Sequence, residues 1–302
     1  MLVTQLTHRR AVLIMICAAM LWSTAGVLTR HLDQARGFEV TFWRSVFAAF
    51  FVAVALIFQR QHKAAATVIA IGKLGLLSGL MWSMMFCCFM LALTMTTVAN
   101  TLIVMSISPL LTALLSWLIL HQRIAPRTWL AILLALIGMI AMFARSTAHI
   151  NNTQLIGMFI ALGVPLAASI NVIAIKKAGH GVDLIPAVLL GGVFSAVMML
   201  PFALPLQASV HDIVILATLG FFQLGFPCML MVSASRSLSA PEISLLALLE
   251  VLLGPLWAWV GANEVPSQET IFGGALVLVA LMVNELAALR HASKIHRNAH
   301  RA

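Results

Sequence analysis

Residues Leu245–Pro255 read LLALLEVLLGP, an aliphatic run with one carboxylate, Glu250, set inside it and a glycine and a proline at its end. Whether this run lies in water or in hydrocarbon decides what the chain is. Of its 302 residues 62% are hydrophobic and only 9% charged, with a mean hydropathy of +1.05. A soluble domain carries about 25% charged residues. The run therefore belongs in lipid, and the carboxylate has to be explained there.

A helix needs about 20 mostly apolar residues to cross roughly 30 Å of hydrocarbon. Ten such stretches follow one another: Ala11 to Leu28, Phe38 to Phe58, Gly72 to Leu93, Val98 to Leu120, Thr128 to Phe143, Thr153 to Ile175, Leu184 to Leu204, Asp212 to Ser233, Ala240 to Gly261 and Gln268 to Leu289. A membrane β-barrel would alternate apolar and polar residues along each strand, whereas these runs are continuous. The sequence predicts an all-α polytopic membrane protein with ten transmembrane helices. His8, Arg9 and Arg10 before an apolar segment imitate a signal peptide, but the segment continues past Ala18 and Ala19 to full spanning length, so it is expected to stay as the first helix.

Cytoplasmic loops collect lysine and arginine. With the N-terminus inside, the inner segments hold Arg9, Arg10, Arg60, Lys63, Lys73, Arg123, Arg127, Lys176, Lys177, Arg236, Arg290, Lys294, Arg297 and Arg301, while the outer loops hold only Arg30, Arg36 and Arg145. Both termini are therefore expected in the cytoplasm, with the protein in a bacterial inner (plasma) membrane. The formal charge of +9 then reports topology. It does not indicate nucleic-acid binding, because the basic residues are scattered over short loops with no aromatic-rich soluble module to present them. The basic tail from Arg290 is expected to rest on anionic lipid headgroups.

Cys17, Cys87, Cys88 and Cys228 all fall within expected helices, giving neither a disulfide framework nor a spaced metal motif. No GxxxxGK[ST] segment occurs, so no nucleotide-driven step is expected. The histidines sit in loops, tails or helix ends and no HExxH is present, which disfavours an intramembrane enzyme. No cofactor is expected. A membrane scaffold or assembly subunit stays open beside a transporter, and reconstitution with solutes discriminates the two.

Sliding the chain by 142 positions lays PLLTALLSWLILHQRIAPRT, from Pro109, on VLLGPLWAWVGANEVPSQET, from Val251, and aligns Trp117 with Trp259 and Thr128 with Thr270. A similar offset lays GFEV at Gly37 on GVDL at Gly181. Two units of five helices follow, residues 1–148 and 149–302, joined near Arg145 to Asn152. Because five is odd, the second unit is inverted relative to the first. Inverted repeats with a solute site near the midplane are the usual build of secondary transporters.

LWSTAGVLTR in the first helix, Arg44 in the second, ISPLLTALLSWLIL with Pro109, and LLALLEVLLGPLWAWVGANE with Glu250 and Glu264 together resemble the drug/metabolite transporter superfamily, EamA-type branch. The resemblance covers nearly the whole chain. It implies export or exchange of a small metabolite, amino acid or drug-like solute by alternating access and without ATP, and an exporter is the expectation for this chain. Two positions depart from the pattern: Gln122 stands where a glutamate is common in the first repeat, and Val251 where a proline often follows the acid. Pro255 is then expected to supply the helix break.

Glu250 lies ten residues into its helix, about 15 Å deep, where a charge costs on the order of 3 kcal/mol. Ala247, Gly254 and Trp257 share its helical face, while Leu245, Leu248, Leu252 and Trp259 lie opposite. Glu250 is thus expected to face inward, as a substrate or coupling-proton site or as the partner of Arg44. Ser108, beside Pro109, is its repeat counterpart. Trp22 and Ser23 in the first helix, Trp82 in the third, Asn171 in the sixth and Gln223 in the eighth complete the expected substrate-binding set, with Pro109 and Pro255 as helix breaks. If the orientation is right, a reporter fused after Arg145 reads as external and one at the C-terminus as cytoplasmic; both on one side would overturn the five-plus-five arrangement.

Overall fold

The structure, a computed structural model, describes residues 6–35, 37–61, 64–96, 98–143, 151–179, 182–262 and 267–299. Within these, side chains 94, 98, 99, 143, 255, 258, 261, 262 and 285–299 are not described. The expected repeat junction at Arg145–Asn152 therefore lies almost wholly outside the described residues, as do Arg36, Lys63, Glu264 and Arg301.

The described chain is helical throughout. The first half holds α1 (His8–Trp22), α2 (Ala25–Thr29), α3 (Phe38–Arg60), α4 (Ala64–Ile69), α5 (Gly72–Met95), α6 (Val98–Met105), α7 (Ser108–Leu120) and α8 (Pro126–Phe143). The second holds α9 (Asn152–Ala161), α10 (Gly163–Ala178), α11 (Ile185–Ala203), α12 (Val210–Thr218), a π-helical segment (Leu219–Gly225), α13 (Phe226–Ala234), α14 (Ala240–Ala247), α15 (Leu249–Ala262) and α16 (Gln268–Ala299). Helix starts follow local chemistry. Asn151, Ser209 and Ser239 each form a capping box with the residue three positions on, Gln154, Asp212 and Glu242, so each satisfies two N–H groups that a helix start leaves unpaired.

Among the described residues, seven helical stretches are long and apolar enough to cross a membrane: His8–Thr29, Phe38–Arg60, Gly72–Leu93, Asn100–Leu120, Asn152–Ala178, Ile185–Ala203 and Val210–Ala234. Two more, Pro126–Met142 and Gln268–Asn284, are apolar but shorter. The ninth expected stretch is filled by α14 and α15 with a break between them.

The sidedness of α8 shows what surrounds the protein. Ala131, Ile132, Ala135, Met139 and Met142 are buried on one face, and Leu130, Leu133, Ile137 and Ile140 are each more than half exposed on the other. Both faces are aliphatic, an arrangement suited to a helix that packs on protein on one side and on lipid on the other.

Packing maps onto itself when the two halves are exchanged. The second stretch packs on the seventh (α3 on α11), and the fifth on the tenth (α8 on α16). The first packs on the eighth (α1 on α13) as the sixth packs on the third (α10 on α5), and α14 meets α7 at the centre. The connecting loops obey the same exchange. At one end of α3, Glu39 accepts from the backbone N–H groups of Gln207 and Ala208 at 2.8 and 2.9 Å. There too the buried Asp212 accepts from those of Asp33, Gln34 and Ala35 at 2.7 to 3.0 Å. At the other end Arg60 pairs with Asp183 at 2.5 Å. α3 has 23 residues, so these two equivalent junctions lie about 35 Å apart.

Glycine sets how closely α8 and α16 approach. A Cβ on Gly138 would lie 2.8 Å from the Gly273 carbonyl oxygen, and one on Gly273 would overlap the Gly138 carbonyl and lie 2.5 Å from the Met142 nitrogen. A Cβ on the adjacent Gly274 meets only Leu252 Cδ2 at 3.6 Å. Gly273→Val should destabilise the protein by about 1–3 kcal/mol or more through overpacking, lowering the thermal unfolding midpoint in detergent, while Gly274→Ala leaves it nearly unchanged.

Candidate functional site

Four of the stretches are interrupted near their middles, at Ser23–Thr24, Ser106–Ile107, Leu162 and Leu248. At three of the breaks the backbone tightens to bonds of the three-residue type, such as Ile107 N–H to the Val104 carbonyl at 3.2 Å and Val251 N–H to the Leu248 carbonyl at 3.0 Å. Local sequence accounts for three of the four breaks. The hydroxyls of Ser23, Thr24 and Ser106 bond the carbonyls of Met20, Leu21 and Ile103 at 2.7, 2.7 and 2.6 Å, drawing them from the helical ladder. Pro109 stands in the first turn of α7 and Pro165 in that of α10, where the N–H that proline lacks would have no intrahelical partner anyway.

The break at Leu248 has neither hydroxyl nor proline to explain it. The expectation placed it at Pro255, but α15 runs unbroken from Leu249 through that position, as membrane helices tolerate when neighbours satisfy the freed groups. What marks Leu248 is its place in the repeat. The 142-residue offset carries Ser106–Ile107 onto Leu248–Leu249 and Ser108 onto Glu250. Glu250 thus stands in the first turn of a new helix, where the positive end of the helix dipole favours a carboxylate.

These interrupted helices, with α3 and α5, line a cavity of about 140 Å³, on a scale where one water takes roughly 10–15 Å³. Six of the expected residues line it: Trp22, Arg44, Trp82, Ser108, Gln223 and Glu250. Phenylalanines and methionines supply much of the remaining wall, with Phe86, Phe89, Met85 and Met105 among them. Ser23 and Asn171 are buried beside the cavity and do not line it. The Ser23 hydroxyl accepts from Trp257 Nε1 at 2.7 Å, tying the first break to α15, and Asn171 Oδ1 accepts from Ser78 at 2.6 Å.

Arg44 and Glu250 face the same space within Coulombic reach but form no ion pair among the described residues. The direct pairing weighed from the sequence is therefore absent, for a reason of position. Arg44 sits on α3, which packs on α11 and the π-helical segment, whereas α15 packs on α1 and α2. Arg44 is only 3% exposed, and its Nε is buried with no hydrogen-bond partner among the described residues.

Two features could not be read from the sequence. The π-helical turn carries Gln223, whose Nε2 donates to the Trp22 carbonyl at 3.1 Å, taking up a group at the break in the first stretch. A hydroxyl chain then joins three interrupted stretches. Ser244 donates to Thr112 Oγ1 at 2.7 Å, Thr112 donates to Ser169 Oγ at 3.0 Å, and Ser169 bonds the Pro165 carbonyl at 2.7 Å. The signal available was helical spacing, which places Thr112 on the face of Ser108, but partners on distant helices leave no local trace.

Asp33, His211 and Asp212 hold ligand atoms within 4.8 Å of one another. The oxygens of Asp212 are already taken by the N–H groups of Asp33, Gln34, Ala35 and Ser209, so this cluster is a loop clamp.

Among the described residues, helices of two similarly packed halves are interrupted around a shared cavity, a build known from membrane transporters. Residues 9–144 and 155–285 match the EamA-like transporter family, and the chain belongs to that family. It is 23% identical over 296 residues to solute carrier family 35 member G1 of Homo sapiens, covering 91% of this chain and 78% of that protein. A solved structure, titled only as the crystal structure of a protein, shares the fold with a TM-score of 0.78 at 18% identity, covering 93% of this chain and 98% of the other.

The hydroxyl chain yields a direct test. Thr112→Val keeps shape but leaves Ser244 without its acceptor, and should cost about 1–3 kcal/mol of stability. Thr218→Val removes a hydroxyl that bonds only the Val214 carbonyl one turn back and should stay within about 0.5 kcal/mol. Thermal unfolding of the two variants beside the parent checks both.

Proposed function

We propose that the protein moves a small metabolite, amino acid or drug-like solute across the membrane by alternating access, as an exporter, with the solute held in the cavity between Arg44 and Glu250. The observation that carries this reading is the coincidence of interrupted helices from both halves around one cavity with a cationic and an acidic side chain on its wall. Backbone breaks at membrane depth are tolerated only where protein or a water-filled space takes up the freed groups.

The reading extends the architecture to ten spans in two inverted five-helix repeats, residues 1–148 and 149–302. The self-mapping of the packing and the separation of equivalent loops to opposite ends of α3 support it. Both termini lie in the cytoplasm of a bacterial inner membrane on the lysine and arginine distribution. The protein's work is translocation, with no covalent step assigned to it, and its partners are the solute, the surrounding lipid and a coupling proton, with no nucleic acid.

Ser108, Trp22, Trp82 and Gln223 share the solute site with Arg44 and Glu250. Ser23 and Asn171 act on it through the helices they join, and Pro109 and Pro255 give local freedom to α7 and α15.

Glu250 is the residue assigned to the coupling proton, so its carboxyl changes charge during the cycle. Glu250→Gln should insert, fold and bind solute yet lose flux driven by an imposed pH gradient in proteoliposomes, while Glu264→Gln has a weaker effect. Folding and binding are measured beside flux. Full pH-driven flux in the folded Glu250→Gln protein would leave the carboxylate as a packing element and remove it from the mechanism.

A further inference from the structure

The cavity lining carries three polar side chains whose buried atoms have no hydrogen-bond partner among the described residues: Arg44 through Nε, Trp82 through Nε1 and Gln223 through Oε1. Each is at least nine-tenths buried, with relative exposures of 3%, 1% and 4%. Arginine cannot shed its charge by deprotonation, and a buried unpaired cation is strongly unfavourable. The carboxylate across the cavity does not relieve it, since no Arg44–Glu250 ion pair forms among the described residues. Two unsatisfied donors, one charged and one an indole N–H, thus belong to one largely aromatic and aliphatic space.

From this we infer that Arg44 is the head-group receptor of the site and that the solute carries a carboxylate on an apolar body, the carboxylate taking bonds from the guanidinium and from Trp82 Nε1. This rests on the proposed reading that the cavity is the solute site. The guanidinium fork matches a carboxylate in two parallel bonds, and indole N–H is a donor only. The start of α7 at Ser108 also lines the cavity, and it brings the positive end of a 13-residue helix without a carboxylate of its own, unlike the start of α15. The rest of the solute meets Trp22, Phe86, Phe89 and methionine side chains, which reward an apolar body and adapt to its shape. Gln223 is fixed through its amide nitrogen on the Trp22 carbonyl, leaving its oxygen as an acceptor for a donor on the solute.

The test uses purified full-length protein in detergent and in proteoliposomes, with three probes: leucine, phenylalanine and N-acetyl-leucine, each paired with its methyl ester. Ester formation removes the anion and keeps the body. Binding is read by titration of the thermal unfolding midpoint, and movement by flux of the labelled probes. At least one acid should bind roughly tenfold or more tightly than its ester, the scale of one charged hydrogen bond. Arg44→Gln should bring acid and ester to within about twofold of each other. Trp82→Phe should weaken the acids several-fold and the esters less, because an ester carbonyl is the poorer acceptor for the indole N–H.

Arg44→Gln removes a buried donor without a partner and should not lower the unfolding midpoint of the solute-free protein, whereas Trp82→Phe also empties part of a fully buried ring site and should lower it modestly. A marked fall in Arg44→Gln alone would make the arginine a structural residue. An ester that binds as tightly as its acid, an acid preference that survives Arg44→Gln, or failure of all three acids to bind overturns the assignment. If esters are moved across the bilayer as well as acids, transport stands and the receptor falls. If acids bind through Arg44 and none is moved, the receptor stands and the transport reading falls.

Discussion

Inside hydrocarbon each peptide group must find its partner within the protein, and the rest of this structure depends on that constraint. An unbroken helix meets it automatically, so a break at membrane depth has to be supported by other side chains or by an enclosed polar space. Groups around three of the four breaks here are taken up by named residues. The Trp22 carbonyl receives Gln223, the Met20 carbonyl receives Ser23, and the Ile103 carbonyl receives Ser106. The Pro165 and Ser108 carbonyls receive Ser169 at 2.7 and 3.3 Å. The polar inventory of the interior follows in large part from this accounting. What remains after it, on the cavity wall, is a short set of unsatisfied atoms led by Arg44.

The described acidic side chains divide in the same way. Asp33 faces His211 at 3.1 Å, Asp183 pairs with Arg60, and Glu39 and Asp212 hold backbone N–H groups of neighbouring loops. Glu242 completes a capping box and Glu269 has a partner of its own. Each of these sits at a helix end or loop, where a carboxylate is cheaply solvated or bonded to orphan N–H groups. Glu250 alone among the described acids stands at membrane depth, on a cavity wall, outside any cap or clamp. Among the described side chains, an acid and a base of the spans that have neither an ion pair nor a hydrogen bond therefore line a common cavity.

Much of this was legible in the sequence where the signal is local. Spans follow from apolar run length, and the cavity-facing side of Glu250 from Ala247 at helical spacing. Pro109 marked a break because proline at a helix start is self-consistent. Pro255 misled because proline is only one way to interrupt a membrane helix, and at Leu248 the interruption is inherited from the repeat and carried by the carboxylate that opens the next helix. The π-helical turn at Leu219–Gly225 was invisible for a related reason. Its glycines allow close approach, a Cβ on Gly220 lying 2.8 Å from the Arg44 carbonyl, but the turn exists to fit α3, and no local pattern records a neighbour. Ser23 and Asn171 were expected at the solute site as polar residues of the spans, yet polarity alone does not say whether a group serves a helix partner or a cavity.

Pairing Arg44 directly with Glu250 would neutralise both charges and fasten α3 to α15, and a buried pair of that kind is broken only at a cost of several kcal/mol. Held on separate helices, the two groups stay individually available, at the expense of an arginine that the protein itself does not satisfy. The repeat sharpens the point. Equivalent helix starts present Ser108 in one half and Glu250 in the other, so the scaffold is nearly symmetric while its chemistry is not. On the proposed reading, symmetry of the scaffold supplies two alternating arrangements of equal plausibility. The placement of one acid in one half only is what allows solute and proton to be handled differently in the two.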